Sequence, residues 1–280
     1  MRRLLLATAL AALAAAPALA APSRIVSLGG AVTEIVVALG AQEQLVARDS
    51  TSTFPPSVAT LPDVGYVRAL SPEGVLALGP ELILAEATAG PPEAIEVLRA
   101  AGVDFRTLPG AASPEGVLEK IAAVGAALDR EAEAATLAAD FTARMQAAEA
   151  KAAATGTRKR ALFVLGTQGG RVIVGGAGSS AAAILALAGA ENAATGFSGY
   201  KQMTDEALLA AAPEVIVMMD RAGEGAMSGT EVLAHPALGA TPAGKAGAVI
   251  RMDGMLLLGF GPRTPEAVEA LHAALYPEAG

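Results

Sequence analysis

Residues 71–84 and 204–217 align without gaps, and this internal repeat constrains the fold more than any other feature. Ser71-Pro72-Glu73-Gly74-Val75-Leu76 corresponds to Thr204-Asp205-Glu206-Ala207-Leu208-Leu209, and Pro80-Glu81-Leu82-Ile83-Leu84 to Pro213-Glu214-Val215-Ile216-Val217. In each copy a hydroxyl residue opens a helix, with Glu in its first turn. A Pro-Glu pair then leads into an apolar strand. A helix-to-strand unit that occurs twice predicts two related lobes. Ligand sites favour the cleft between such lobes.

The rest of the chain fits this frame. An apolar strand over 24–28 turns through Gly29-Gly30 into a helix over 32–39, closed by Gly40. Strands over 45–48, 81–85 and 103–108 alternate with helices from Ser71 and over 91–101. From Ser113 to about Ala154 the composition is helical, with no proline after Pro114. One helix of that length would span on the order of 60 Å, and Gly125 and Asp129 are the places where it can break. Strands over 161–165, 171–174, 215–219 and 249–252 then alternate with helices over 179–188, 206–212 and 265–275. The expected fold is α/β, with mostly parallel central sheets in both lobes and one long backbone helix joining them. The boundaries are 21–111 for the N-terminal lobe, 112–155 for the linking helix and 156–280 for the C-terminal lobe. Such a helix bends stiffly, so modest closure is expected rather than wide hinging.

The first twenty residues read as a cleaved signal peptide. Arg2 and Arg3 precede an apolar run from Leu4 to about Ala15, and Ala18-Leu19-Ala20 is a small-x-small cleavage site. Export places the protein in the periplasm. There is no cysteine for a disulfide, a lipid anchor or a thiolate metal site. The leader holds two of the 20 basic residues, which leaves 18 against 28 acidic ones and a net charge near −10. An acidic chain with no basic stretch is a poor nucleic-acid binder.

Enzyme constellations fall short. His235 and His272 are the only histidines, and no Gly-x-Ser-x-Gly elbow is present. Gly176-Ala177-Gly178-Ser179-Ser180-Ala181 matches a loose dinucleotide fingerprint, but no acidic residue ends a strand about 20 residues on. It reads instead as a tight strand-to-helix turn.

The tyrosines carry more. Tyr66 and Tyr200 each precede the helix of one repeat, with a cation close by, Arg68 and Lys201. Two related lobes would thus offer a tyrosine and a cation to one cleft from opposite sides. Ferric iron is a hard ion that suits a phenolate oxygen, and tyrosine is an established haem ligand. Arg68 is placed to favour the phenolate or to pair with a propionate. A turn tyrosine beside a solvated arginine is the ordinary alternative.

At these residues the chain resembles the periplasmic haem-binding proteins of bacterial ABC importers, within the long-backbone-helix (class III) group that also serves cobalamin and siderophores. Arg24-Ile25-Val26-Ser27-Leu28-Gly29-Gly30-Ala31-Val32-Thr33-Glu34-Ile35 is shared across that group. Leu61-Pro62-Asp63-Val64-Gly65-Tyr66-Val67-Arg68-Ala69-Leu70-Ser71, Met218-Met219-Asp220-Arg221 and Leu258-Gly259-Phe260-Gly261-Pro262-Arg263-Thr264 are more specific to the haem branch. The resemblance implies two Rossmann-like lobes, with Tyr66 as the axial ligand of the haem iron and Arg68 supporting it. Arg221, Tyr200 and Lys201 are candidates for the propionates or the macrocycle. No histidine lies in 171–201, where some relatives place a second ligand. Glu73 and Glu206 would dock on arginines of the permease dimer. Ordinary first-turn helix glutamates are the plainer reading of that pair. The expected protein is a monomeric carrier without covalent chemistry. The alternatives are the same fold with a ferric siderophore or cobalamin, and an exported haem-modifying enzyme.

Overall fold

The computed structural model describes residues 22–220 and 225–277. The leader over 1–20 and Arg221 lie outside the described residues. In the first lobe, β1 (Ile25–Leu28), β2 (Leu45–Arg48), β3 (Leu82–Glu86) and β4 (Asp104–Leu108) form a parallel sheet in the order β2-β1-β3-β4. Every residue of β1 is buried, as an apolar run covered on both faces requires. The helices of this lobe are α1 (Gly30–Ala38), α2 (Pro72–Leu76) and α3 (Pro92–Ala100). Proline opens both α2 and α3, where its missing N–H costs no helical hydrogen bond.

The linking stretch is two helices rather than one rod. α4 (Pro114–Ala127) and α5 (Glu131–Ala153) are separated by Leu128-Asp129-Arg130, with Asp129 at a left-handed φ of 53°. The break falls where the sequence allowed it. Gly125 makes it possible, because a Cβ there would collide with the Cβ of Ala134. A straight rod could not put both apolar stripes into one core. Broken at Asp129, the pair buries Val117, Ile121 and Val124 of α4 together with Phe141, Met145 and Ala148 of α5. The 23 residues of α5 reach about 34 Å.

The second lobe has β5 (Arg160–Gln168), β6 (Arg171–Gly175), β7 (Glu191–Asn192), β8 (Tyr200–Met203), β9 (Val215–Asp220) and β10 (Val249–Asp253). Its order is β10-β9-β5-β6-β8, with β7 beside β5. β5, β9 and β10 are parallel, as expected, whereas β6 runs antiparallel to both β5 and β8. Gly169 and Gly170, both at positive φ, close the β5–β6 hairpin in two residues, a geometry that other side chains resist. The helices are α6 (Ser180–Leu187), α7 (Asp205–Ala211), α8 (Gly229–Ala234), α9 (Pro236–Ala240), α10 (Pro242–Ala246), α11 (Gly254–Leu258) and α12 (Thr264–Leu275).

The internal repeat is real at the level of single hydrogen bonds. Leu82 lies beside Ile25 in the first lobe, and its counterpart Val215 lies beside Ala161 in the second. Glu81 accepts a hydrogen bond from the backbone N–H of Ser23 at 2.7 Å, and its counterpart Glu214 accepts from that of Arg160 at 2.8 Å. Arg24 reaches the carbonyls of Leu78 and Gly79 at the end of the α2 turn, while Arg160 reaches Ala211 at the end of α7. Each lobe thus ties the start of a central strand to the helix-to-strand corner beside it with the same arginine and glutamate.

One apolar core runs from Ile25, Ile35 and Leu82 through both linking helices to Phe163, Ile184 and Leu271. The lobes are therefore joined by packing as well as by chain.

Candidate functional site

The carboxyl edge of the first sheet is built around Asp49, just after β2. Its buried carboxylate accepts from the N–H of Gly29 at 2.8 Å, the N–H of Thr51 at 2.9 Å and the hydroxyls of Thr51 and Ser52 at 2.5 and 2.6 Å. The loop from Asp49 to Ser71 then folds back on the sheet. Arg48 donates to Asp63 at 2.8 Å, and the N–H of Ser50 donates to the Gly65 carbonyl at 2.9 Å. The N–H of Gly90 donates to the Val67 carbonyl at 2.9 Å, with Val67 and Leu70 buried beneath. Tyr66 sits between these two anchor points. The residue is 47% exposed, and its hydroxyl has no hydrogen-bond partner among the described residues. Arg68, two positions on, is exposed. A pinned backbone carrying a free phenol suits an external ligand, because the fold does not use that oxygen.

Beneath this edge lies a set of charged groups that sequence reasoning missed. Glu86, ending β3, tucks under Gly29 and accepts from the Ala31 N–H. Lys120 of α4 is 3% exposed and donates to the Phe260 carbonyl at 3.2 Å. Burial raises the Glu86 carboxyl above the usual carboxylate range, against the pull of Lys120. Burial likewise lowers the Lys120 ammonium. Folded Glu86 keeps its proton to higher pH than the unfolded chain does. Its favourable contribution is whole below pH 4.5 and is lost as pH rises through the raised value. The urea unfolding midpoint, followed from about pH 4 to 8, should therefore fall more steeply with rising pH in the parent than in Glu86→Gln. Equal slopes would contradict the burial argument. The only hint in the sequence was a lysine inside the apolar stripe Val117–Ile121–Val124.

The second lobe presents Tyr200 differently from Tyr66. Tyr200 opens β8 opposite Gly175, its ring meets Phe163 edge-on at 6.2 Å, and its hydroxyl shares a hydrogen bond with Ser180 at 2.9 Å. It remains 38% exposed. Lys201 is exposed, with its ammonium 5.9 Å from the Phe197 ring. No hydrogen bond or ring contact among the described residues joins Tyr66 to Tyr200. The glycine-rich turn at 176–178 is held by paired bonds to Phe197 and Gly199 and leads into α6, capped by Ser179. Glu73 and Glu206 occupy matching places in the first turns of α2 and α7, and both are exposed. Both histidines are used by the fold. His235 caps α9 through Nδ1, and buried His272 bonds the Ala188 carbonyl at 3.0 Å. Among the described residues, no three His, Cys, Asp or Glu side chains gather closely enough to hold a bare ion. An iron already held by a macrocycle needs only one or two protein ligands, and a tyrosine oxygen is one that serves.

The two sheets meet near their carboxyl edges. Met255, just after β10, packs against Gly30, just after β1. Arg263 at the start of α12 holds Glu34 of α1 with two hydrogen bonds, at 2.6 and 3.1 Å, and its guanidinium lies 3.8 Å over the Phe54 ring. Sequence reasoning noted Arg263 only inside a motif and gave it no role.

A family model described as periplasmic binding protein matches residues 25–256. Among solved structures, the periplasmic heme-binding protein BhuT in complex with two hemes is 43% identical at a TM-score of 0.85, covering 90% of this chain and 97% of that one. A periplasmic heme binding protein from Pseudomonas aeruginosa is 37% identical at a TM-score of 0.84, covering 92% and 94%. An uncharacterized ABC transporter substrate-binding lipoprotein, YvrC of Bacillus subtilis (strain 168), is 28% identical over 260 residues, which are 92% of this chain and 81% of that protein.

Proposed function

This chain belongs to the periplasmic binding protein family, and on that premise we propose that it captures haem between its lobes and passes it to the permease of an ABC importer. Tyr66 binds the iron through its phenolate oxygen. The observation that carries this reading is the free hydroxyl of a half-exposed tyrosine on a pinned loop at the carboxyl edge of a parallel sheet. Ligands of open α/β sheets bind at that edge. The 43% identity to a haem-bound structure supports the choice of cargo.

Arg68 stabilises the phenolate or a propionate by charge. Tyr200, Lys201 and Arg221 supply contacts to the macrocycle or its propionates. Few aromatics are available to cover the haem faces, since the chain has no tryptophan and six phenylalanines, so aliphatic side chains do most of that work. No bond is made or broken in the cargo. The protein is exported through its leader over 1–20 and works as a monomer in the periplasm.

Haemin titration tests the cargo. Stoichiometric binding with a ferric high-spin tyrosinate spectrum is expected. Saturation by cobalamin, with haemin left free, would overturn it.

Docking uses Glu73 and Glu206, one on each lobe at equivalent positions, so two equivalent permease subunits can each take one. Reversing either charge to arginine should slow haem delivery in a reconstituted importer and leave haem affinity unchanged. Unchanged delivery by the double reversal would remove this assignment.

A further inference from the structure

We propose that Arg263 is the positioning residue of the cleft: by gripping Glu34 and packing its guanidinium over the Phe54 ring, it fixes the gap between the lobes and the seat of the loop that carries Tyr66. The three residues belong to different parts of the fold. Glu34 is on α1, directly after β1. Phe54 is in the Asp49–Ser71 loop of the first lobe. Arg263 is the N-cap of α12 in the second lobe.

The contact geometry is restrictive. Two hydrogen bonds from one guanidinium to one carboxylate, at 2.6 and 3.1 Å, fix its direction in the plane. The guanidinium carbon lies 3.8 Å from the centre of the Phe54 ring, which adds a second, cation–π contact on a different part of the fold. The pair is shielded, with 8% of the Glu34 side chain and 18% of the Arg263 side chain exposed, so it is unlike a loose surface ion pair. The neighbouring backbone is equally close. A Cβ on Gly261 would come within 3.1 Å of the Ala31 Cβ, and Lys120 holds the adjoining Phe260 carbonyl.

The link to Tyr66 runs through the loop. Thr33, next to Glu34, shares a hydrogen bond with Ser52 at 2.6 Å, and Ser52 donates to Asp49 at 2.6 Å. Phe54 follows two residues later, and the same loop returns over Ser50 at Gly65, beside Tyr66. α1 therefore holds the start of the loop through Thr33 and holds Arg263 through Glu34. Phe54 keeps 40% of its surface open, so only part of the ring is committed to Arg263.

The test needs no haem for its first measurement. The chain has no cysteine, so Val97→Cys on α3 and Lys245→Cys on α10 place one spin label on each lobe. The parent should give one narrow inter-label distance. Arg263→Met should broaden and lengthen it, and Phe54→Ala should broaden it less. The second measurement rests on the haem reading. Release of haem to an apomyoglobin trap should be about tenfold faster in both variants, with the ferric spectrum unchanged. An unchanged distance in Arg263→Met would overturn the proposal. So would an altered distance with release at the parent rate, which would make the contact purely structural. If Arg263→Met does not fold, Phe54→Ala decides by the same two readings. A parent that binds no haemin would sink the cargo reading, and the distance measurement would still decide the lobe-setting role of Arg263.

Discussion

Replacing Tyr66 by phenylalanine is expected to abolish the ferric tyrosinate spectrum and to weaken haem binding at least about 100-fold. The substitution removes one oxygen and keeps the ring. The loop is held by backbone bonds from Ser50 to Gly65, from Ala69 to Tyr66 and from Gly90 to Val67, and none of them uses the phenol. Stability should therefore change by less than about 0.5 kcal/mol, the ordinary range for an exposed side chain. A large loss of affinity with an unchanged unfolding midpoint separates ligation from folding. Apolar burial of the macrocycle persists in the variant, so weak binding with a water-ligated or five-coordinate spectrum is the expected remainder. Retention of the parent spectrum would move the ligand elsewhere, first to Tyr200. That residue is a poorer candidate, because its hydroxyl is already bonded to Ser180. Arg68→Ala should show a smaller version of the same effect if Arg68 supplies the proposed charge support, since the variant leaves the Tyr66 oxygen in place.

Much of this was legible in the sequence, for identifiable reasons. The repeat over 71–84 and 204–217 was readable because a helix start, a Pro-Glu corner and a buried strand each leave a local mark. The structure shows that the same glutamates, Glu81 and Glu214, do the same work. Tyr66 stood out because aromatics are scarce in this chain. The division of the linking helix at Asp129 was visible only as a place where a break was allowed. What selects it is the shared core under α4 and α5, a tertiary effect. The strand over 171–174 was readable, but its antiparallel direction and the partner strand β8 were hidden, because short strands in a mixed sheet have no periodicity of their own. The junction of Glu34, Arg263 and Phe54 could not be read at all. Its members are separated by 20 to 229 positions and meet only when both lobes are folded. The symmetry suggested by Tyr66 and Tyr200 also had a limit. The repeat covers the helix and strand but not the segment before them, so one tyrosine lies in a pinned loop and the other begins an edge strand.

Phe141→Ala is expected to destabilise the protein by about 3–5 kcal/mol, the usual range for deleting a buried phenylalanine ring. Phe141 is 1% exposed on the buried stripe of α5, with Met145, Ala148 and Ala152 following at helical spacing. Its neighbours are largely alanine along this helix, so little side-chain mass is at hand to collapse into the space left behind. That places the loss toward the upper end and lowers the thermal midpoint by on the order of 10 °C. The same core contains residues of both lobes, from Ile35 and Leu82 to Phe163 and Leu271. The variant should therefore still unfold in a single calorimetric transition shifted to lower temperature. Two separated transitions would show that α5 stabilises one lobe alone and that the lobes fold independently. A single shifted transition would mean that the lobes share their stability through α5. The same shared packing limits how far they can part when haem enters or leaves, so scattering radii with and without haem should differ little.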